Sequence, residues 1–433
     1  MPWIRLCALL AAALAASGCA KITLAWADLR ANGPDAEPQI LAAFGDQGPI
    51  RDVASWEEYR APALREAFEA LVYGDMPDEY AVSVLSRDVL DANAFGGAGY
   101  LVEYKLQASV AFGDNAADSE PFHMNVLAPK DNLNAPAILI ESFCPRNSTI
   151  RHPDVFHPEG ARECPDSGFL FGVLTFIFGK YIATPPVEEI LERGYAIATI
   201  YPSEFAPDDS ERGIAALSAM ASMDEGGDAA ANRWGAVAAW GWGFSLMIDA
   251  METDEEINPS SFIAWGHSRY GKAALVGAAY DNRIDGVIAH QSGTGGAALN
   301  RQKKGESVEE ITSSYPHWFN DAYAEFADRE EELPIDQHHL LALIAPRPIL
   351  LGNARRDVWS DPNGSFRAGL GATAVYELYG VDGLTQARLD EWRPGAHIAF
   401  HIRAGGHGVT TDDWPRFLEF LDAHFGVKPS TPS

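Results

Sequence analysis

Six short apolar runs punctuate the chain from residue 137 onward: Ala137–Glu141, Tyr195–Tyr201, Phe262–Trp265, Gly286–Ala289, Pro348–Leu351 and Ile398–Ile402. Each has the length and content of a buried strand. Stretches with helical spacing fall between several of them, over Pro186–Arg193, Ala230–Met251, Lys272–Tyr280, Gln337–Ile344 and Asp413–Phe425, with Ala61–Tyr73 upstream. Strand and helix in alternation require parallel strands joined by crossovers, so the expected fold class is α/β, a doubly wound, mostly parallel sheet with helices on both faces. Phe122–Ala128 reads as an antiparallel strand at the entry edge, and residues 21 to about 55 as an irregular lead-in. No internal repeat and no low-complexity tract precedes the Pro/Ser tail at 429–433, so residues 21–433 are expected to form one domain. A chain of 433 residues with 47% hydrophobic content can bury a core of that size.

The first residues, MPWIRLCALLAAALAASGCAK, place one cation ahead of an apolar stretch and end in small residues. That is the pattern of a signal peptide, assigned to residues 1–20, and it is too short to span a membrane as a mature helix. Cys19, after Ala-Ser-Gly, resembles a lipoprotein cleavage box, so the exported chain is expected to be periplasmic, anchored to the outer membrane through a lipid on Cys19, or extracellular. Cys7 and Cys19 belong to that segment, which leaves Cys144 and Cys164 as a candidate disulfide. A formal net charge of -29 excludes nucleic acid and an anionic membrane surface as partners. With no His-Glu-x-x-His and no Cys-x-x-Cys, neither a metal nor another cofactor is expected, and the chain is expected to act as a monomer.

The run FIAWGHSRYGKAALVGAAY, residues 262–280, carries the chemistry. A strand enters a helix through Gly266-His267-Ser268-Arg269-Tyr270-Gly271-Lys272. A serine on such a turn has an exposed hydroxyl, and the N–H groups opening the helix can receive developing negative charge. The plainer reading is a helix-capping serine. A serine hydroxyl becomes nucleophilic only when a histidine takes its proton and a carboxylate orients that histidine. In doubly wound hydrolases these partners follow in the order Ser, acid, His. After Pro348–Leu351 comes Gly-Asn-Ala-Arg-Arg-Asp357-Val-Trp359-Ser-Asp361-Pro, and after Ile398–Ile402 comes Arg-Ala-Gly-Gly-His407-Gly408. Asp361 precedes Pro362 and reads as a turn residue, which leaves Asp357 as the acid. His338 and His339, at the start of an apolar helix, and His397 and His401, in a strand, read as packing or hydrogen-bonding residues.

Gly266-His-Ser-Arg-Tyr-Gly-Lys272 resembles the Gly-x-Ser-Arg-x-Gly-Lys signature of the glucuronoyl esterases, α/β-hydrolases that cleave esters between glucuronic acid on xylan and lignin alcohols. The likeness extends over roughly residues 180 to 425, through Trp234–Trp242, Ser292–Arg301, Tyr315–Phe319, His338–Arg347 and Gly405–Gly408. It implies a serine carboxylesterase without a cofactor, acting on an alkyl or aryl ester of glucuronic acid or its 4-O-methyl derivative, as a small molecule or on a xylan-like glycan. It further implies that Arg269 supports the tetrahedral oxyanion, that Lys272 holds hydroxyls of the uronate ring, and that Glu306 and Trp359 contact the sugar. Glu309 and Glu310 lie near Glu306 in sequence and compete for that role. The alternative to a functional Arg269 and Lys272 is an exposed pair at a helix start, which the helix dipole opposes.

The chain departs from the family pattern in two places. Many members carry their triad acid as a glutamate where this chain has Gln291, which cannot ionise; others use an aspartate at the place of Asp357. The triad is therefore expected to be Ser268, Asp357 and His407. The second departure is an apolar insertion around 144–180 containing Phe169–Phe178, which reads first as a buried segment. Exposed, it would suit an aromatic or acyl group, as in an esterase or lipase for other acyl or acetyl esters with this segment as its lid. A catalytically inactive, carbohydrate-binding protein of the same fold is the remaining alternative.

Overall fold

The computed structural model describes residues 26–426 except 78, 114, 162, 163, 166 and 222–232. The signal-peptide reading, Cys19 and the start of the helix expected over Ala230–Met251 lie outside the described residues. Among the described residues no helix is long and apolar enough to cross a membrane.

The strands are β1 (Glu79–Asn93), β2 (Gly99–Phe112), β3 (Asn115–Asp118), β4 (Phe122–Pro129), β5 (Ala137–Glu141), β6 (Ala196–Ile200), β7 (Phe262–His267), β8 (Ile284–His290), β9 (Ile349–Ala354) and β10 (Ile398–Arg403). They join in one sheet in the order β1-β2-β4-β6-β5-β7-β8-β9-β10, with β3 paired to β2. From β6 to β10 every pairing is parallel, and β4 meets β6 antiparallel. All six apolar runs therefore become neighbouring parallel strands, buried on both faces as helix-covered strands must be.

Two expectations need correction. Phe122–Ala128 does form an antiparallel strand, but it lies inside the sheet between β2 and β6, because β1 and β2 extend the sheet beyond it. Those two strands are absent from the sequence reading. β1 leaves most of its side chains in solvent and β2 alternates charged with apolar residues, so neither shows a continuous apolar run. Phe169–Phe178 does not form a buried segment. It is a helix, Gly168–Phe178, with no buried residue, and Phe169 and Phe176 are 67% and 90% exposed. The run follows the loop closed by the Cys144–Cys164 disulfide, whose Cα atoms are 5.8 Å apart.

Two helices fix the centre. Ala236–Glu252 and Arg269–Tyr280 pack so closely that a Cβ at Gly277 would lie 2.6 Å from the Gly241 carbonyl oxygen. That approach holds the helix following β7 rigidly in place. Close by, Glu141 ends β5 fully buried, and neither carboxyl oxygen has a hydrogen-bond partner among the described residues. A side chain at Gly243 would lie 2.6 Å from its Oε1. Burial drives this carboxyl well above the usual glutamate range. The folded chain then keeps a proton that the unfolded chain releases, so stability falls as pH rises from the ordinary glutamate value toward the folded one, by about 1.4 kcal/mol per pH unit. In Glu141→Gln that portion of the pH dependence should vanish. Denaturant titrations at pH 5 and pH 8 check this: the wild type should lose more stability than the variant between the two, and equal losses would show Glu141 to be ionised when folded.

Candidate active site

Ser268 follows the last residue of β7 and holds φ 58 and ψ −123, a conformation that side-chain-bearing residues rarely adopt. The turn is fixed from several sides. The Ser268 N–H donates to the His290 carbonyl oxygen at 2.8 Å, and the N–H groups of Gly271 and Lys272 donate to the Ser268 carbonyl oxygen at 2.9 and 3.2 Å. A Cβ at Gly266 would lie 1.9 Å from the Tyr270 carbonyl oxygen, so only glycine allows the chain to double back so tightly. The capping alternative fails, because the Ser268 side chain makes no cap hydrogen bond to the helix it precedes. Strain of this kind persists where the surroundings over-determine it, and it turns the hydroxyl out of the helix.

His407 lies on the loop after β10, and its Nδ1 is 2.8 Å from Asp357 Oδ2, on the loop after β9. Ser360 Oγ donates to the same Oδ2 at 2.6 Å. Burial of Asp357 opposes its ionisation, but the His407 charge and the hydrogen bonds from His407 and Ser360 outweigh it and hold the carboxyl below the usual aspartate range. An ionised Asp357 favours the tautomer with the proton on Nδ1, which leaves Nε2 able to accept a proton.

The loop bearing His407 is gripped from beneath. Arg403 donates from Nε to both oxygens of Asp413 at 2.9 and 2.8 Å, from Nη1 to the carbonyls of Ala404 and Gly406, and from Nη2 to that of Gly408 at 2.6 Å. Gln291 accepts the Gly408 N–H at 2.8 Å and donates to the Gly406 carbonyl at 3.3 Å. It thus clasps the backbone on both sides of His407. His267 and His290 lie below, Nδ1 to Nδ1 at 3.0 Å, with the His267 ring centroid 4.6 Å from that of His407. Burial pushes both below the usual histidine value, so neither places a competing cation beside His407. Sequence reasoning missed Arg403, Asp413, His267 and His290. The available signal was their position: polar residues at the ends of otherwise apolar strands, or at the start of the last helix.

The remaining expected residues split into two groups. Arg269 sits within an aromatic frame, its guanidinium carbon 5.7, 6.0 and 5.0 Å from the ring centroids of Phe143, Tyr315 and Trp318, and it bonds Asp208. It faces a cleft of about 1560 Å³ whose walls include Phe143, Leu170, Leu174, Tyr201 and Tyr270. Lys272 is only 3% exposed, and its Nζ donates to the carbonyls of Ser292 and Thr294. The exposed-pair alternative therefore fails for Lys272. Glu306 is buried near it, and its N–H donates at 2.9 Å to the carbonyl oxygen of Trp359, a half-buried side chain. Burial raises the Glu306 carboxyl, with the Lys272 charge opposing the shift. Glu310 is spent in a capping box with Ser307 and Glu309 is exposed, which singles out Glu306 among the three. His338 and His339 are buried within the fold, and His338 Nε2 lies 2.8 Å from the Pro38 carbonyl oxygen.

Residues 228–380 match the family model described as glucuronyl esterase, fungi. A carbohydrate esterase, MZ0003, from an unknown prokaryotic organism is 33% identical over 388 residues, spanning 88% of this chain and 87% of that one. A 4-O-methyl-glucuronoyl methylesterase of Schizophyllum commune is 36% identical over 156 residues, 34% of this chain and 39% of the relative. Among solved structures, a promiscuous CE15 esterase from a marine bacterial metagenome superposes with a TM-score of 0.74 at 30% identity, covering 92% of this chain and all of the other, 100%. The glucuronoyl esterase from Solibacter usitatus superposes with a TM-score of 0.73 at 32% identity, covering 91% and 99%. A likeness that runs through nearly the whole of both chains, on a sheet that carries a strained serine and a carboxylate-bound histidine at its strand ends, makes this chain a carboxylic ester hydrolase belonging to the glucuronoyl esterase family.

Proposed function

We propose that the protein hydrolyses alkyl or aryl esters of glucuronic acid or 4-O-methyl-glucuronic acid, using Ser268, His407 and Asp357 as its triad and Arg269 at the oxyanion. The observation that carries this reading is the 2.8 Å His407–Asp357 contact together with a serine fixed at φ 58, all following the carboxyl ends of parallel strands of one sheet. His407 Nε2 takes the Ser268 proton as Oγ attacks the uronate carbonyl. The developing oxyanion meets the Arg269 guanidinium and the N–H groups that open the helix after Ser268, an environment that favours the transition state over the neutral ester. His407 then protonates the departing alcohol, and water releases the acyl-enzyme by the same route. Lys272, Glu306 and Trp359 hold the sugar, offering charged hydrogen-bonding groups beside an aromatic platform. The named activity of the Solibacter usitatus relative supports the uronate substrate.

The Cys144–Cys164 bridge supports export to an oxidising compartment, in keeping with a signal peptide over residues 1–20, and a lipid on Cys19 remains the proposed means of attachment. The exposed helix Gly168–Phe178 favours a second reading, in which the enzyme also accepts esters with apolar acyl groups.

Two substitutions test the assignment. Asp357→Asn keeps the shape of the side chain but favours the wrong histidine tautomer, and should lower kcat by about 10⁴-fold; steady-state kinetics showing near-full activity would remove Asp357 from the triad. Lys272→Ala should lower kcat/KM for a benzyl or methyl glucuronate ester by about 10- to 100-fold more than for an aryl acetate, which has no ring hydroxyls to lose. Equal losses on both substrates, or a wild-type preference for fatty-acyl or acetyl esters, would transfer the assignment to the second reading.

A further inference from the structure

Two adjacent aspartates, Asp208 and Asp209, precede the helix Ser210–Met220, and local structure accounts for only one of them. Asp209 caps the helix, accepting from the N–H groups of Glu211 and Arg212. Asp208 turns the other way and receives hydrogen bonds from residues far along the chain. Its Oδ2 accepts from Nη1 of Arg269, and its Oδ1 accepts from Trp318 Nε1 at 2.8 Å and lies 2.9 Å from His317 Nε2. His317 is pushed down to about 4, by burial first and by the Arg269 charge second, so it stands here as a neutral N–H donor. The Asp208 charge is accordingly matched to Arg269 rather than shared with an imidazolium.

We infer that Asp208 is the positioning residue of the site, fixing the Arg269 guanidinium at the place where the oxyanion develops. The inference rests on the role given to Arg269 under the proposed function. A carboxylate beside a catalytic cation weakens the field that the cation presents, so its presence calls for a compensating gain. That gain is pre-organisation. An arginine left to rotate would surrender its rotamer freedom and reorient water during the reaction, whereas donors fixed in advance cost nothing at that moment. Three elements converge to fix it: Asp208 holds one edge of the guanidinium, Phe143, Tyr315 and Trp318 confine its faces, and Trp318 also braces the carboxylate. The Tyr315 and Trp318 rings are themselves stacked, with centroids 3.8 Å apart.

A double-mutant cycle tests this with a glucuronate ester as substrate. Arg269→Ala should lower kcat by about 100-fold, as expected for loss of an oxyanion donor. Asp208→Ala should lower kcat by about 10-fold or more with KM little changed, because a misplaced donor costs rate rather than ground-state binding. Asp208→Ala combined with Arg269→Ala should be no slower than Arg269→Ala alone, since a residue acting only through Arg269 has nothing left to position. Asp208→Asn, which keeps acceptors for Trp318 and His317 but removes the charge, and Trp318→Phe, which removes the brace, give the same cycle if Asp208→Ala does not fold. Wild-type kcat in Arg269→Ala would refute the oxyanion role of Arg269. A full loss in Arg269→Ala with an Asp208 effect that multiplies it, or with no Asp208 effect at all, would overturn the positioning role and leave the Arg269 reading intact.

Discussion

The positive φ of Ser268 is the constraint on which the rest of the molecule depends. A residue with a side chain occupies that region only at a cost of about 1–3 kcal/mol, and the cost is borne by packing that leaves the turn no alternative. β7 enters it from a fully buried position between β5 and β8, and the helix leaving it is locked against Ala236–Glu252 by glycine-to-glycine contact. The hydrogen bond from Ser268 N–H to the His290 carbonyl binds the turn to the next strand. The central sheet thus holds Ser268 in a conformation outside the regular helix that follows it.

The same economy of placement recurs at the next two strand ends. β9 and β10 are neighbours in the sheet, so the loops after them meet, and Asp357 and His407 are brought together without any long-range connection. Arg403, the final residue of β10, carries its charge into a buried site satisfied by Asp413 and by the carbonyls of the loop it begins. Breaking such a buried pair typically costs about 3–5 kcal/mol. Its position argues that it holds the His407 loop in one geometry. Gln291 adds to the same grip: an uncharged amide at this position can both accept from Gly408 and donate to Gly406, which a carboxylate could not.

Much of this was legible in the sequence because the parallel half of the sheet writes itself as apolar runs, and the chemistry follows those runs directly. The strained turn at Ser268 and the paired Asp357 and His407 lie where Phe262–Trp265, Pro348–Leu351 and Ile398–Ile402 end. The antiparallel half was not legible. β1 lies at a sheet edge with its side chains largely in solvent, and a half-buried strand interrupted by Glu, Asp and Arg looks like a loop. Phe169–Phe178 was misplaced for the opposite reason: hydrophobicity states what a helix could bury, and only the fold decides whether a partner is present. Asp208 and Asp413 were invisible because their partners, Arg269 and Arg403, lie in other elements or across a turn, and a lone aspartate carries no spacing signal.

The central claim is that Ser268 is an activated nucleophile whose site recognises a glucuronate ester. Intact-mass and peptide-mapping measurement of the wild-type enzyme treated with a fluorophosphonate, with and without methyl glucuronate ester as competitor, tests it most directly. The account predicts a single covalent adduct on Ser268 that forms more slowly when the ester is present. Labelling at another residue, no labelling, or labelling indifferent to the ester would contradict it.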